Sequence, residues 1–249
     1  MKSKILLAAS ILLHEYAVMA TADLKIDINY LVTTIKISIE NYSQADCNVT
    51  EGCTQPGQRK LLRFGQRIEN IGSKDWDLGK PKNKSYFEHE PCPDHDHFHF
   101  VAFAKYQLFN INCNQLIIGA KLGGCIGDYD PVGHPNNINC ALISPFNISN
   151  CRNKKKKQGI SAGCADVYNP NLDCQYVDIT GVPDGRYFLK ATINFDQALI
   201  QAHSNLQESD YTNNTAYVLI EIQGNTVEVI YAAHTIPHDL NVNCTVLSK

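Results

Sequence analysis

Apolar and polar residues alternate at period two in several short runs, the pattern of half-buried strands. Leu24–Tyr30 reads LKIDINY and Thr33–Glu40 reads TTIKISIE. Further runs rich in β-branched and aromatic residues cover Phe98–Phe109, Tyr187–Asn194, Ala216–Gln223 and Thr226–Ala232. Clusters of Gly, Pro, Asn and Asp separate these runs and mark turns. The last two runs flank Gly224-Asn225, residues that tolerate positive φ, and predict a hairpin. No long stretch has a 3.6-residue period, and only Phe195–Gln207 predicts a short helix. Short strands at this spacing predict a mostly β fold. The expected form is an antiparallel β-sandwich with long disulfide-tied loops and little helix, a barrel being the alternative.

The stretch from Asp128 to Ser161 breaks this rhythm. It offers Pro, Gly, Asn and the run Lys154–Lys157 with little periodicity, and a loop of that length inside a domain has to be tied down or functional. Cys125, Cys140, Cys151 and Cys164 are placed to tie it. The lysine run reads as a solvated loop tip in preference to an anion-binding surface. Neither a repeat nor a linker interrupts the chain, so residues 23–249 read as one domain.

Ahead of that domain, Lys2 and Lys4 precede the apolar run Ile5–Leu13, and small residues follow at Ala17, Val18, Ala20 and Ala22. Charge, apolar stretch and small-residue exit, in that order, make a secretory signal peptide over residues 1–22. Val18-Met19-Ala20 and Ala20-Thr21-Ala22 are both candidate cleavage sites. The apolar run is well short of the roughly 20 residues that a membrane span needs. No later segment reaches that length, so the expected product is secreted, extracellular and without a membrane span.

Composition narrows the class. The chain has 249 residues, is 44% hydrophobic and 19% charged, and carries a formal net charge of −3. That is long enough for a real core, too apolar for general disorder, and too near neutrality to indicate a nucleic-acid partner. Ten cysteines are many for a reducing compartment and suit an oxidising one, although counting alone cannot choose their pairing. Sequons at Asn41, Asn48, Asn83, Asn147, Asn213 and Asn243 agree with export and predict a glycoprotein.

The strongest chemical signal is His95-Asp96-His97-Phe98-His99. Imidazole suits copper, zinc, iron and nickel, and on a strand the alternating histidines face one side. Reach adds a constraint. At ~3.3 Å per residue the outer pair stands about 13 Å apart on a straight strand, whereas metal–nitrogen bonds are near 2 Å. Two neighbouring histidines share an ion easily, and a third requires the backbone to bend, for which Pro93 and Cys92 are suitably placed. The competing reading is a surface strand whose polar face happens to be histidine, with His89 an exposed neighbour in place of a fourth ligand. The P-loop, the Rossmann glycine pattern, HExxH and GxSxG are all absent.

Around this cluster the chain resembles the copper-dependent amine oxidases of the lysyl oxidase family. The resemblance lies in ordered blocks: CNVTEGC (47–53), LLRFGQRIENIG (61–72), the histidine block through FAKYQLF (103–109), GAKLGGC (119–125), QGISAGCADVYNPNLDCQYVDITGVPDGRYFLK (158–190) and ESDYTNN (208–214). It implies copper(II) held by His95, His97 and His99. It also implies a lysyl tyrosylquinone made from Lys121, four residues before a cysteine, and Tyr168, inside a C-x3-Y-x5-C loop. Such a cofactor oxidises peptidyl lysine or another primary amine with O2 to an aldehyde, releasing H2O2 and ammonia. Taken singly, Lys121 would read as a surface charge and Tyr168 as a core edge. Cofactor formation requires a neutral lysine, which predicts a lowered pKa for Lys121.

There are departures from the family pattern. Pro93 and Asp94 separate Cys92 from the first histidine. Phe100, Val101 and Ala102 stand where the family commonly carries an acidic residue proposed as the base, leaving Asp94 and Asp96 as candidates for that role or for orienting a ligand histidine. No cysteine lies near Tyr217 to pair with Cys244. These departures sustain an alternative, a non-catalytic secreted metal-binding β-sandwich that has lost turnover. By resemblance, Cys47–Cys53, Cys164–Cys174 and Cys92–Cys151 are the expected disulfides. Cys125–Cys140 is preferred among the remainder, which leaves Cys113–Cys244.

Overall fold

The computed structural model describes residues 21–82, 84–90, 92, 96–112, 114–119, 123–132, 140 and 144–236. All of the expected leader except Thr21 and Ala22 lies outside these residues, as do Cys113, Cys244 and the sequons at Asn83 and Asn243.

The chain opens with β1 (Leu24–Ile26), helix α1 (Ile28–Thr34), β2 (Lys36–Tyr42), the single-turn α2 (Cys47–Thr50), β3 (Gly57–Arg63), β4 (Gln66–Asn70) and β5 (Trp76–Gly79). The middle holds β6 (Phe87–Glu90), β7 (His97–Phe100), β8 (Ala104–Asn110), β9 (Gln115–Ile118), β10 (Asp130–Pro131), β11 (Gln158–Ile160) and β12 (Cys164–Tyr168). Then come β13 (Tyr176–Asp178), β14 (Gly185–Ile193), α3 (Gln197–Ala202), β15 (Thr215–Gln223) and β16 (Thr226–Ala233).

A five-stranded sheet runs β16-β15-β14-β8-β9, and smaller sheets run β1-β4-β12-β10 and β13-β3-β2, with β11-β5 and β6-β7 as two-stranded pairs. The strand pairings are antiparallel. Alternation along β8, β14 and β15 sends Tyr106, Leu108, Leu189, Ala191, Val218 and Ile220 into a core shared with Leu24, Ile26, Leu62, Ile68 and Trp76 from the smaller sheets. Burying those apolar faces against each other is the main driving force for the sandwich. The opposite face of the large sheet carries a second cluster, Phe109, Phe188, Tyr217 and Leu219. No helix of the described residues is long and apolar enough to cross a membrane.

The hairpin at Gly224-Asn225 and the short helix after Phe195 form as the pattern predicts. The strand expected over Leu24–Tyr30 does not: it stops at Ile26, and α1 follows. Asp27 is the cause. Its carboxylate accepts the Tyr30 N–H at 3.0 Å, an N-cap that starts a helix where the alternation continued on paper. Lys154–Lys157 is an exposed tip, pinned by Lys157 Nζ to Asp77 at 2.5 Å. Of the sequons, Asn41 is exposed, whereas Asn48 is buried, donating to Asp173 and accepting from the Cys174 N–H.

The disulfides correct the expected pairing. The described bonds are Cys47–Cys92, Cys53–Cys174, Cys125–Cys151 and Cys140–Cys164, with Cα–Cα distances of 5.9, 5.4, 5.7 and 5.5 Å. Cys47–Cys53, Cys164–Cys174, Cys92–Cys151 and Cys125–Cys140 are therefore not formed, and Cys113–Cys244 falls outside the described residues. Helix α2, capped by Asp46, separates Cys47 from Cys53, so each finds a distant partner. Cys164 is fixed in β12 between β4 and β10, away from Cys174 at the far end of its loop.

Candidate active site

Strand β7 pairs with β6 in a register that sets Glu88 against His99 and residue 90 against His97 along the backbone. Side chains alternate along HFHF: Phe100 enters the core against Trp76 and Tyr86, and the two imidazoles emerge on the other face. They converge, with His97 Nε2 and His99 Nε2 2.7 Å apart. Two nitrogens each about 2 Å from one ion at a right angle lie roughly 2.8 Å apart. The pair therefore fits an imidazole-bound ion such as copper(II). His95 lies outside the described residues. His89 is exposed and bonds Asp96 at 3.0 Å, which occupies Asp96 at the rim; Asp94 is not among the described residues.

Tyr168 closes β12, opposite Gln66 of β4. Its ring packs on Phe103, with centroids 5.1 Å apart, and its hydroxyl donates to the Cys125 carbonyl. The glycines of GAKLGGC make room between the tyrosine and the histidines. Gly124 pairs with Phe100 in both directions, at 2.8 and 3.2 Å. A Cβ on Gly124 would stand 2.5 Å from the Tyr168 hydroxyl oxygen, and one on Gly123 would stand 3.1 Å from the Cβ of His99. Lys121, two residues upstream, lies outside the described residues.

His97, His99, Tyr168, Asp166, Glu88 and Arg152 share the wall of one cavity of about 1010 Å³. Burial holds the Tyr168 phenol well above its ordinary pKa, and the neighbouring Asp166 raises it further. Asp166 is itself pushed well up by burial, against the pull of the Gly127 and Val167 N–H groups. Sequence reasoning missed this carboxyl. Its place two residues before Tyr168 on β12, hence on the same strand face, was the available signal.

The CNVTEGC segment holds both halves of the site. Cys47 fastens it to Cys92, ahead of the histidines, and Cys53 to Cys174, beyond the tyrosine. Glu51 lies within reach of both disulfides, whose oxidised sulfurs are not thiolate ligands.

The site is thus a convergent imidazole pair and a buried tyrosine sharing one cleft of a mostly β domain. A family profile described as "Lysyl oxidase" matches residues 22–232; the chain belongs to the lysyl oxidase family. It is 35% identical to lysyl oxidase homolog 2 of Homo sapiens over 179 residues, covering 70% of this chain and 20% of that protein. Lysyl oxidase homolog 4 of Homo sapiens is 29% identical over 218 residues, covering 82% and 26%. Lysyl oxidase homolog 3B of Danio rerio is 33% identical over 177 residues, covering 70% and 19%. The chain thus spans about a fifth to a quarter of the length of these relatives.

Proposed function

We propose that this protein is an exported, copper- and quinone-dependent amine oxidase that converts peptidyl lysine or another primary amine to an aldehyde. The overall reaction is RCH2NH3+ + O2 + H2O → RCHO + NH4+ + H2O2. The observation that carries this reading is the meeting of His97, His99 and Tyr168 in one cavity across the side-chain-free Gly123-Gly124 pair. His95 completes the proposed copper ligands and Lys121 the proposed cofactor precursors.

When formed, a quinone at Tyr168 supplies a carbonyl electrophile and an electron sink. The chain's own residues position it. Phe103 flanks the ring, the Cys125 carbonyl holds the hydroxyl, and burial of Tyr168 to 6% exposure keeps bulk water off it. Glu51, Glu88 and Asp173 line the same cavity as Arg152 and attract an incoming ammonium.

Mass spectrometry of the exported, copper-loaded protein tests the reading. A peptide joining Lys121 to Tyr168, a quinone absorbance and amine-dependent H2O2 are the expected results. Unmodified Lys121 and Tyr168 with no H2O2 after copper loading would overturn it and leave the non-catalytic metal-binding alternative.

A further inference from the structure

The amine oxidation needs a base, and the stretch after the histidines does not supply one. Phe100 and Ala102 are buried in the core, and Asp96 is solvated on the surface beside His89. Among the described residues, the remaining carboxyls of the cavity differ in setting. Glu88 is exposed, Asp173 accepts from Asn48 at 2.9 Å, and Glu51 is half-buried beside the disulfides, 3.7 Å from Cys174 Sγ. Asp166 is 1% exposed, lies on the Tyr168 face of β12, and has an Oδ2 atom with no hydrogen-bond partner among the described residues. A buried carboxylate oxygen without a donor costs free energy, and a carboxylate stripped of water is a stronger base towards carbon than a solvated one.

Building on the amine oxidase reading, we propose that Asp166 is the catalytic base, removing the proton from the carbon that bears the substrate amine. The C–H bond breaks and its proton passes to the Asp166 carboxylate; with the amine nitrogen joined to the oxidised ring at Tyr168, that ring would take up the electron pair left behind. O2 would then take up two electrons and two protons and leave as H2O2, while water adds to the oxidised substrate carbon to release the aldehyde and the nitrogen leaves as ammonium. Burial raises the basicity of Asp166 in the direction this step needs, and the Gly127 and Val167 N–H groups steady its charged form.

The test uses the full chain, copper-loaded, as wild type, D166N, D166E and D166A. Formation of the Lys121–Tyr168 crosslink is read by mass spectrometry, and the quinone carbonyl by its adduct with phenylhydrazine, which requires no proton removal from carbon. Proton abstraction is read as anaerobic bleaching of the quinone by n-butylamine. We expect D166N to form crosslink and adduct within about twofold of wild type while bleaching slows on the order of a thousandfold. D166E should recover part of the rate, and added formate should restore bleaching in D166A. Bleaching of D166N within tenfold of wild type would overturn the assignment. So would failure of both D166N and D166A to form the crosslink that wild type forms, because Asp166 would then serve cofactor assembly. Absence of the crosslink in wild type is a separate result, and it overturns the oxidase reading itself.

Discussion

Arg63 shows how much of the site depends on single side chains. It is almost fully buried, gives Nε and Nη2 to Glu40 at 2.6 and 2.7 Å, and gives Nη1 to the carbonyls of Pro170 and Leu172 at 3.1 Å each. Those carbonyls belong to the loop that follows Tyr168, so Arg63 ties that loop to β2. Replacing it with Ala leaves Glu40 only its Ser38 and Tyr42 hydrogen bonds and takes the guanidinium donor from the loop carbonyls, and R63A should lose about 3 kcal/mol in denaturant unfolding. Arg63 holds the Glu40 carboxyl down at about 2, from an ordinary 4.5. A depressed carboxyl stabilises the fold above its unfolded pKa and ceases to do so as pH falls through its folded value. The melting temperature should therefore drop between pH 4.5 and about 2, and E40Q should flatten that drop. At Gly124 the expected effect is on assembly. The Cβ of G124A would sit 2.5 Å from the Tyr168 hydroxyl oxygen, displacing a ring that has little room to move. Crosslinking should fall by about a hundredfold while copper uptake by the histidines persists, as measured by metal analysis and mass spectrometry.

Elements impose a different kind of constraint. Strand β7 was legible as HFHF because strand period alone places alternating histidines on one face; the convergence of their rings to 2.7 Å was not. Helix α1 was hidden within an alternating run because a helix of this length yields to one local decision, the Asp27 cap. The start of β1 bears on processing. Thr21 O accepts the Ser73 and Lys74 N–H groups at 3.0 and 3.2 Å, and Ala22 O accepts the Ser209 N–H at 2.9 Å. Glu208 fixes the first residue of β1 by accepting the Leu24 N–H at 2.6 Å. Cleavage after Ala22 would discard the Thr21 and Ala22 contacts, whereas cleavage after Ala20 keeps them. N-terminal sequencing of the exported protein should accordingly begin at Thr21; a start at Asp23 would refute this.

Across the whole molecule, the disulfides join segments that the chain order separates. Cys53–Cys174 closes a sequence separation of 121 residues, and Cys174 holds a positive φ of 60° at the bend beyond the tyrosine loop. In the chain-entropy picture a loop of that size contributes about 4 to 5 kcal/mol. The double variant C53S/C174S should therefore unfold at markedly lower denaturant than wild type. Non-reducing peptide mapping should recover Cys47–Cys92, Cys53–Cys174, Cys125–Cys151 and Cys140–Cys164; recovery of Cys47–Cys53 would contradict the fold.

What the sequence determined by itself is what depends on neighbours in the chain. The alternating runs specify β8, β14, β15 and β16 of the large sheet, Gly224-Asn225 specifies its last hairpin, spacing picks out His95, His97 and His99, and the family resemblance adds Lys121 and Tyr168 as chemical candidates. Tertiary structure alone decided cysteine pairing, because a disulfide needs Cα atoms within about 4.4–6.8 Å, and packing of remote strands sets that distance. It also decided that Asp166 is dry and beside Tyr168, since burial belongs to the folded molecule and not to an aspartate. The β12 register could suggest a shared face; only the closed core removes the water.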